Sequence, residues 1–271
     1  MNNTKNFQEL FKGFQDTPNL WETSAVYNLE QFCPKPTFNQ FTQNAEVKKL
    51  RLGKWVEKFV LFQLQQDASI KILQENTQIK NNKITIGELD LLILKDDQPL
   101  HIEIIYKFYL YDSNKDQSNP LNNWVGPNQN DALIFKLNKL KEKQLPLLHH
   151  PKTKALLQDY SFDINSIEQL VCFKAQLFLP FDHQNIEISL LNSNCVEGWY
   201  LNFERIDELK QFQFYIPEKL EWLCSPKTSV NWLDFNDAKI EIKFQIEKKR
   251  SPLCWIKNSN NEFQKCFITW W

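Results

Sequence analysis

Glycine is scarce, with five in 271 residues, and proline numbers twelve. Collagen-like and linker-like chains are excluded on those counts. Long apolar runs are missing, since no stretch approaches the ~18 residues of a membrane-spanning helix. The opening Met1-Asn2-Asn3-Thr4-Lys5-Asn6 is polar and lacks the apolar stretch of a secretory leader. A cytoplasmic protein with no membrane partner is the expectation. The six cysteines form no CxxC pair, and no Cys/His set has zinc spacing; free, buried thiols are expected. No Gly-rich phosphate loop, GxSxG or HExxH occurs, so no named small-molecule chemistry is announced. Arginine is limited to Arg51, Arg205 and Arg250. Bidentate reading of base edges is poorly supplied, and lysine contact with phosphate is favoured.

What the chain has in plenty is aromatic and aliphatic material. Aromatics reach 14% and hydrophobic residues 42%, with 24% charged. Such a chain buries enough apolar surface to offset its ordering entropy, and disorder is excluded. Its length suits one large domain or a core with an appended region. The net charge of -1 argues against a general nucleic-acid coat. The charge is uneven, however. Residues 46–154 carry 17 basic and 13 acidic side chains, and residues 155–271 carry 12 and 16. A polyanion would be met by the middle third.

Residues 1–45 mix short apolar clusters with Asn, Gln and Pro and read as an N-terminal helical extension. One or two helices there pack on the outside of a core at 46–182. Residues 46–66 have helical periodicity in Leu52, Trp55, Val56, Phe59 and Phe62. Gly53 interrupts this pattern at a cost of about 1 kcal/mol and leaves room for a close approach. A short strand is expected over 69–74. Strong strands at 83–94 and 100–110 are joined by a five-residue turn into an antiparallel hairpin. Asn128 or Asn130 then caps a helix that carries Asp131 in its first turn and runs to about Gln144. Its apolar face is Leu133, Ile134, Leu137 and Leu140, and Lys136, Lys139 and Lys143 form a stripe on another face. A strand follows at 170–181. Residues 183–271 read as a smaller α+β or β-rich region packed on the core. The order of helix, three strands, helix and strand makes an α/β chain with a mixed sheet flanked by helices. The terminal Trp270-Trp271 is expected to pack back onto the domain.

Alternation places Glu88, Asp90, Leu92 and Leu94 on one face of the first hairpin strand. On the second, His101, Glu103, Ile105, Lys107 and Tyr109 share a face. Two acids and a lysine on neighbouring strands offer a small site. Paired carboxylates suit Mg²⁺ or Mn²⁺, and such an ion polarises a phosphoryl oxygen and acidifies a bound water. A solvated strand face explains the same spacing.

The string Gly87-Glu88-Leu89-Asp90, a turn, and a strand with Glu103 resemble the core of the PD-(D/E)XK nuclease superfamily. That resemblance implies a restriction-endonuclease-like αβββαβ core. It implies Asp90 and Glu103 as metal ligands and Lys107 as the catalytic-type lysine. It also implies Glu57 as the acid of the preceding helix, and Gln144 as a polar position on the following one. The superfamily's usual lysine lies two residues after the acid, where this chain has Ile105. Lys107 keeps the strand face but lies about 6–7 Å further on, at ~3.3 Å per residue. A second resemblance covers most of the chain, carried by Arg51-Leu52-Gly53 with Glu57, and by His101-Ile102-Glu103 with Lys107-Phe108-Tyr109-Leu110. Trp124-Val125-Gly126-Pro127-Asn128 with Asp131, Leu133 and Lys136, then Gln144-Leu145, Gly198-Trp199 and Glu221-Trp222-Leu223, continue it. The chain resembles an uncharacterised bacterial family, domain-of-unknown-function family 1853.

The expectation is a divalent-metal-dependent nuclease acting on DNA or RNA. Lys136, Lys139, Lys143 and Gln144 would face the nucleic acid, and Glu88 and His101 are further candidates at the site. The alternative is a catalytically inactive nuclease-like fold that binds nucleic acid or a protein.

Overall fold

The computed structural model describes residues 7–41, 50–115, 118–183, 185–227 and 229–271. The expected boundary between residues 45 and 46, and the helical periodicity over 46–49, lie outside them. The chain runs α1 (Phe7–Asp16), α2 (Leu52–Gln65), β1 (Ile70–Asn81), β2 (Ile84–Lys95) and β3 (Gln98–Tyr111). Then come β4 (Trp124–Val125), α3 (Leu133–Lys139), α4 (Pro151–Leu157), β5 (Glu168–Pro180) and β6 (Val196–Asn202). Finally β7 (Gln213–Tyr215), α5 (Phe235–Ile246), β8 (Leu253–Lys257) and β9 (Phe263–Thr269) complete it. All the strands join one mixed sheet in the order β1-β2-β3-β5-β6-β9-β8-β7, with β4 beside β3. Among the described residues, no helix is long and apolar enough to cross a membrane.

The hairpin turn between β2 and β3 is tighter than the expected five residues. Asp96 and Asp97 both take left-handed conformations, with φ of 49° and 64°, as a two-residue hairpin of type I′ demands. The strand expected over 69–74 extends to Asn81 and forms a long antiparallel hairpin with β2. β3 and β5 are parallel over their whole shared length, from Leu100–Glu168 to Leu110–Phe178.

Two apolar layers sandwich this sheet. On one face α1 and α2 pack Phe11, Phe14 and Phe59 against Leu91, Ile102 and Phe108. On the other, α3 packs Leu133 and Leu137 against Ile105, Tyr109 and Phe173. Among the described residues of the N-terminal region, Phe7–Asp16 is helical and packs on the sheet, with Phe11 and Phe14 fully buried. The following segment lies along the free side of β5. Leu20 and Phe32 donate backbone N–H groups to Phe173 and Val171, and Val171 donates back to Glu30. It substitutes for a strand where β6 pairs only with the C-terminal end of β5. The later residues continue the same sheet edge to edge and carry their own core under α5, around Phe214, Ile242 and Ile256.

The sheet also buries lysines without carboxylate partners. Lys265 of β9 donates to Gln176 Oε1 at 2.6 Å and to the Trp222 carbonyl at 2.8 Å. Lys174 of β5 donates to the carbonyls of Gln15 and Thr17. All six cysteines are free; Cys33 is exposed and Cys224 half-buried, against the expectation of uniformly buried thiols. Trp271 does pack back, donating Nε1–H to the Pro127 carbonyl at 2.9 Å.

Burial lowers Lys265 to about 8, below the ordinary lysine value of about 10.4. Between about pH 8 and 10 the unfolded chain therefore holds a proton that the native chain lacks, and stability rises with pH from this group. Buried thiols and tyrosines titrate nearby with the opposite sign, so the measurement is a difference. Urea unfolding of wild type and Lys265→Met at pH 7.5 and 9.5 is expected to show wild type gaining stability relative to the variant.

Candidate functional site

The site begins where a ladder ends. β2 pairs with β3 from Lys95–Gln98 to Leu91–Ile102 and no further. Asp90, next in line, accepts the backbone N–H of Ile104 through Oδ2 at 2.9 Å. Beyond this point β2 continues with β1 alone, while β3 continues beside β5. The β2-facing side of β3 is left without a strand until β4 pairs at Leu110 and Tyr111.

The expected grouping of Glu88, Asp90, Leu92 and Leu94 on one face fails at this divergence. Leu91 and Ile93 pack towards α2, and Leu92 packs with Leu148 and Leu157 on the opposite side. Yet Glu88 reaches Lys54 of α2 at 2.7 Å, and Asp90 lines a 180 Å³ recess with Lys54 and Glu57. Next to this stretch Asn76 of β1 takes a left-handed φ of 49°. Lys54 also holds Glu57 at 2.8 Å and Asn76 at 2.7 Å. Glu57 thus lies near Asp90 but is ion-paired, and burial pushes its carboxyl up. Burial first, and then the charge of Glu103, push Asp90 up to about 7.

Glu103 is fully buried, with 0% exposure. Its Oε2 accepts from Gln144 Nε2, and Gln144 Oε1 accepts from Lys136 Nζ at 2.6 Å. α3 does not run straight to Gln144. It passes into a π turn over Leu140–Gln144, and the wider turn resets the face on which Gln144 emerges, towards β3. The expected caps fail as well. Ala132 is the N-cap and makes no side-chain bond, while Asn128 instead accepts from the Ser251 backbone at 2.8 Å.

His101 lies on the other flank of Glu103. Gln169 of β5 donates one amide hydrogen to the Leu145 carbonyl at 2.7 Å and lies 3.0 Å from His101 Nδ1. The carbonyl fixes the amide orientation, so Nδ1 accepts and the ring proton sits on Nε2. That nitrogen is 3.3 Å from Glu103 Oε1. The approach is off-line, and both atoms remain buried without a hydrogen bond.

Lys107 does not join the carboxylates. It pairs with Asp131, which precedes α3 instead of occupying its first turn. Lys136 is the lysine close to them, since the charges of Glu103 and Asp90 both act on it. Burial outweighs those charges and lowers it to about 8. The expected lysine stripe is therefore divided, with Lys136 half-buried and Lys139 and Lys143 exposed. Gln169, Lys54 and Asn76 were not expected at the site. The signal for Gln169 is a polar residue in an otherwise apolar strand, placed opposite His101 by the β3–β5 register.

Lys107, Asp131 and Lys136 line a larger cleft of 990 Å³, bounded by the start of α2 and by residues 218–222. It meets the Asp90 recess at Leu50 and Ile104, which line both.

Gln144→Ala removes a donor from a buried carboxylate, and the expected loss is about 1–3 kcal/mol of unfolding free energy. Gln144→Glu, which sets a second carboxylate against Glu103, is expected to lose more. Urea unfolding of the two variants at pH 7.5 checks the order.

No curated protein and no solved structure matches the chain. The profile of one family matches residues 26–268, a span that includes every residue of the site just described. The chain belongs to DUF1853, a family described as a domain of unknown function.

Proposed function

We propose that this chain is a divalent-metal-dependent nuclease on a restriction-endonuclease-like αβββαβ core of PD-(D/E)XK type. The run α2, β1, β2, β3, α3 and β5 follows the order of that core. The observation that carries the reading is the carboxylate pair at the β2–β3 divergence, with Glu103 Oε1 buried and unpartnered. A buried carboxylate oxygen without a donor is costly unless a cation completes it.

Mg²⁺ or Mn²⁺ fits this donor set. Mg²⁺ takes one or two carboxylates and fills its remaining positions with water and phosphate oxygens. Among the described residues no group of three His, Cys, Asp or Glu side chains is gathered at one point, and two carboxylates satisfy that style of binding. Asp90 and Glu103 would hold the ion, which when bound supplies Lewis-acid polarisation and an acidified water.

The chain's own residues do the rest. Gln144 fixes the carboxylate of Glu103 through Oε2, while His101 Nε2 lies 3.3 Å from Oε1 without bonding it. Lys136, lowered to about 8, is partly neutral at slightly alkaline pH and takes a proton from the attacking water at Nζ. Its charged form offsets negative charge on the phosphoryl group. Lys107, held by Asp131, presents a point charge to a neighbouring phosphate. Lys136 therefore takes the role that the resemblance assigns to Lys107.

Cleavage of mixed DNA and RNA with Mg²⁺ or Mn²⁺ tests this. Activity is expected to vanish with EDTA and in folded Asp90→Ala and Glu103→Ala. Lys136→Ala and Lys136→Arg are expected to lower kcat about 100-fold or more, whereas Lys107→Ala acts mainly on KM. Absence of cleavage on every substrate, together with no Mn²⁺ binding by calorimetry, would sink the nuclease reading in favour of a binding module.

A further inference from the structure

We infer that the 990 Å³ cleft takes single-stranded nucleic acid, with unpaired bases laid against its aromatic walls. The inference rests on the nuclease reading for its chemistry, and on Phe7, Trp222 and Lys219 for its recognition.

The floor of the cleft is the stretch of β3 from Ile104 to Phe108, which has no strand beside it on the β2 side. Aromatic rings form both walls. Phe7 stacks on Trp55 at 4.5 Å on the helical side. Trp222 meets Phe108 edge-on at 5.2 Å on the other. Phe7 and Trp222 are only partly covered, so each keeps ring surface open to a ligand. Base faces stack on such rings whatever the base, which is how single strands are held without sequence preference. In a duplex those faces are already covered by neighbouring base pairs.

Charge in the cleft points to phosphate. Arg51, Lys107, Lys136 and Lys219 line it, against Asp131 and Glu218, in a chain whose net charge is -1. Lys219 sits over the Trp222 ring at 5.5 Å, which places a cation beside the proposed stacking surface. α2 begins at the same edge. Among the described residues, its N-cap Arg51 makes no side-chain cap, and nothing lies within 4 Å of a Cβ built on Gly53. A phosphate can therefore come close to the first amides of this 14-residue helix.

A duplex is served poorly by the same surface. Groove reading depends largely on arginine, and of the three arginines Arg205 is tied to Asp182 and Glu208. A recess of this size lies at the top of the ~300–1,000 Å³ range for ligand pockets. It admits a few nucleotides of one strand and not a double helix.

The test is equilibrium binding of the full chain in EDTA, where no metal-dependent cleavage proceeds. The probes are a short labelled DNA strand, its RNA equivalent and the same sequence as a blunt duplex. A single strand is expected to bind at least about tenfold more tightly than the duplex. Trp222→Leu is expected to weaken single-strand binding about tenfold. Trp222 also touches the core residue Phe267, so the exposed Lys219→Glu serves as a second variant. It is expected to weaken binding and flatten the dependence of log Kd on log salt. Duplex binding as tight as single-strand binding overturns the inference, as does single-strand binding indifferent to both substitutions. Tight single-strand binding by a protein that cleaves nothing supports this inference and removes the nuclease reading alone.

Discussion

Past the Leu91–Ile102 pair, the next rung between β2 and β3 is made by a side chain. Asp90 takes the Ile104 N–H that a strand carbonyl would otherwise take. A hydrogen bond to a charged acceptor contributes about 1.5–3 kcal/mol, and here it ends the pairing without leaving a buried donor orphaned. Three features follow. β2 is free to bend away with β1, the floor of the cleft is uncovered, and a carboxylate is held at the junction in a low-dielectric setting. Burial and the neighbouring Glu103 oppose its ionisation, which is why Asp90 rises to about 7. The fold places two acids where they repel.

Rigidity at this junction comes from β3, and β3 is fixed from behind. β5 pairs with it along its length, and the N-terminal segment closes the free side of β5. Tyr106, two residues beyond Ile104, hydrogen-bonds Thr17 at 2.7 Å and accepts from Gln176 at 2.9 Å. Gln176 in turn accepts from Lys265. This buried chain ties the end of α1, β3, β5 and β9 together beneath the cleft. Such a network specifies one arrangement because each member would be costly without its partner. The N-terminal and C-terminal regions thereby bear on the site.

The β2–β3 hairpin, the order of helix, three strands, helix and strand, and the closeness of Asp90 to Glu103 were legible because they rest on local pattern. Alternation, turn residues and acids set in apolar strands are all visible within a dozen residues. What escaped depends on partners distant in the chain. The parity break at Asp90 comes where β2 leaves β3, beside a left-handed Asn76 on another strand. Substitution of residues 19–32 for a strand depends on the free side of β5, which no periodicity in the segment announces. Lys107 was legible as a lysine on the face of Glu103, but its capture by Asp131 was not, because a helix reading placed Asp131 inside the first turn of α3, whereas it precedes the N-cap Ala132. Gln144 was found, yet for a different role, since a π turn leaves no mark in apolar spacing.

The apolar residue two positions after Glu103 has a physical cause in the α3 layer. The face of β3 that carries Glu103 also carries Ile105, which is buried among Leu133 and Leu137. A lysine at that position would put its charge into the apolar contact that seats α3 on the sheet, where an unpaired ammonium is strongly penalised. Lys107 clears this contact but emerges where Asp131 receives it. A positive charge reaches Glu103 from the helix instead. Lys136 stands one turn from both Ala132 and Leu140, and its long stem runs over the apolar layer to the Gln144 amide that binds Glu103. Packing of α3 and the approach of a lysine to the carboxylates are then one arrangement: the helix whose apolar face covers Ile105 also sets Lys136 against the Gln144 amide that binds Glu103.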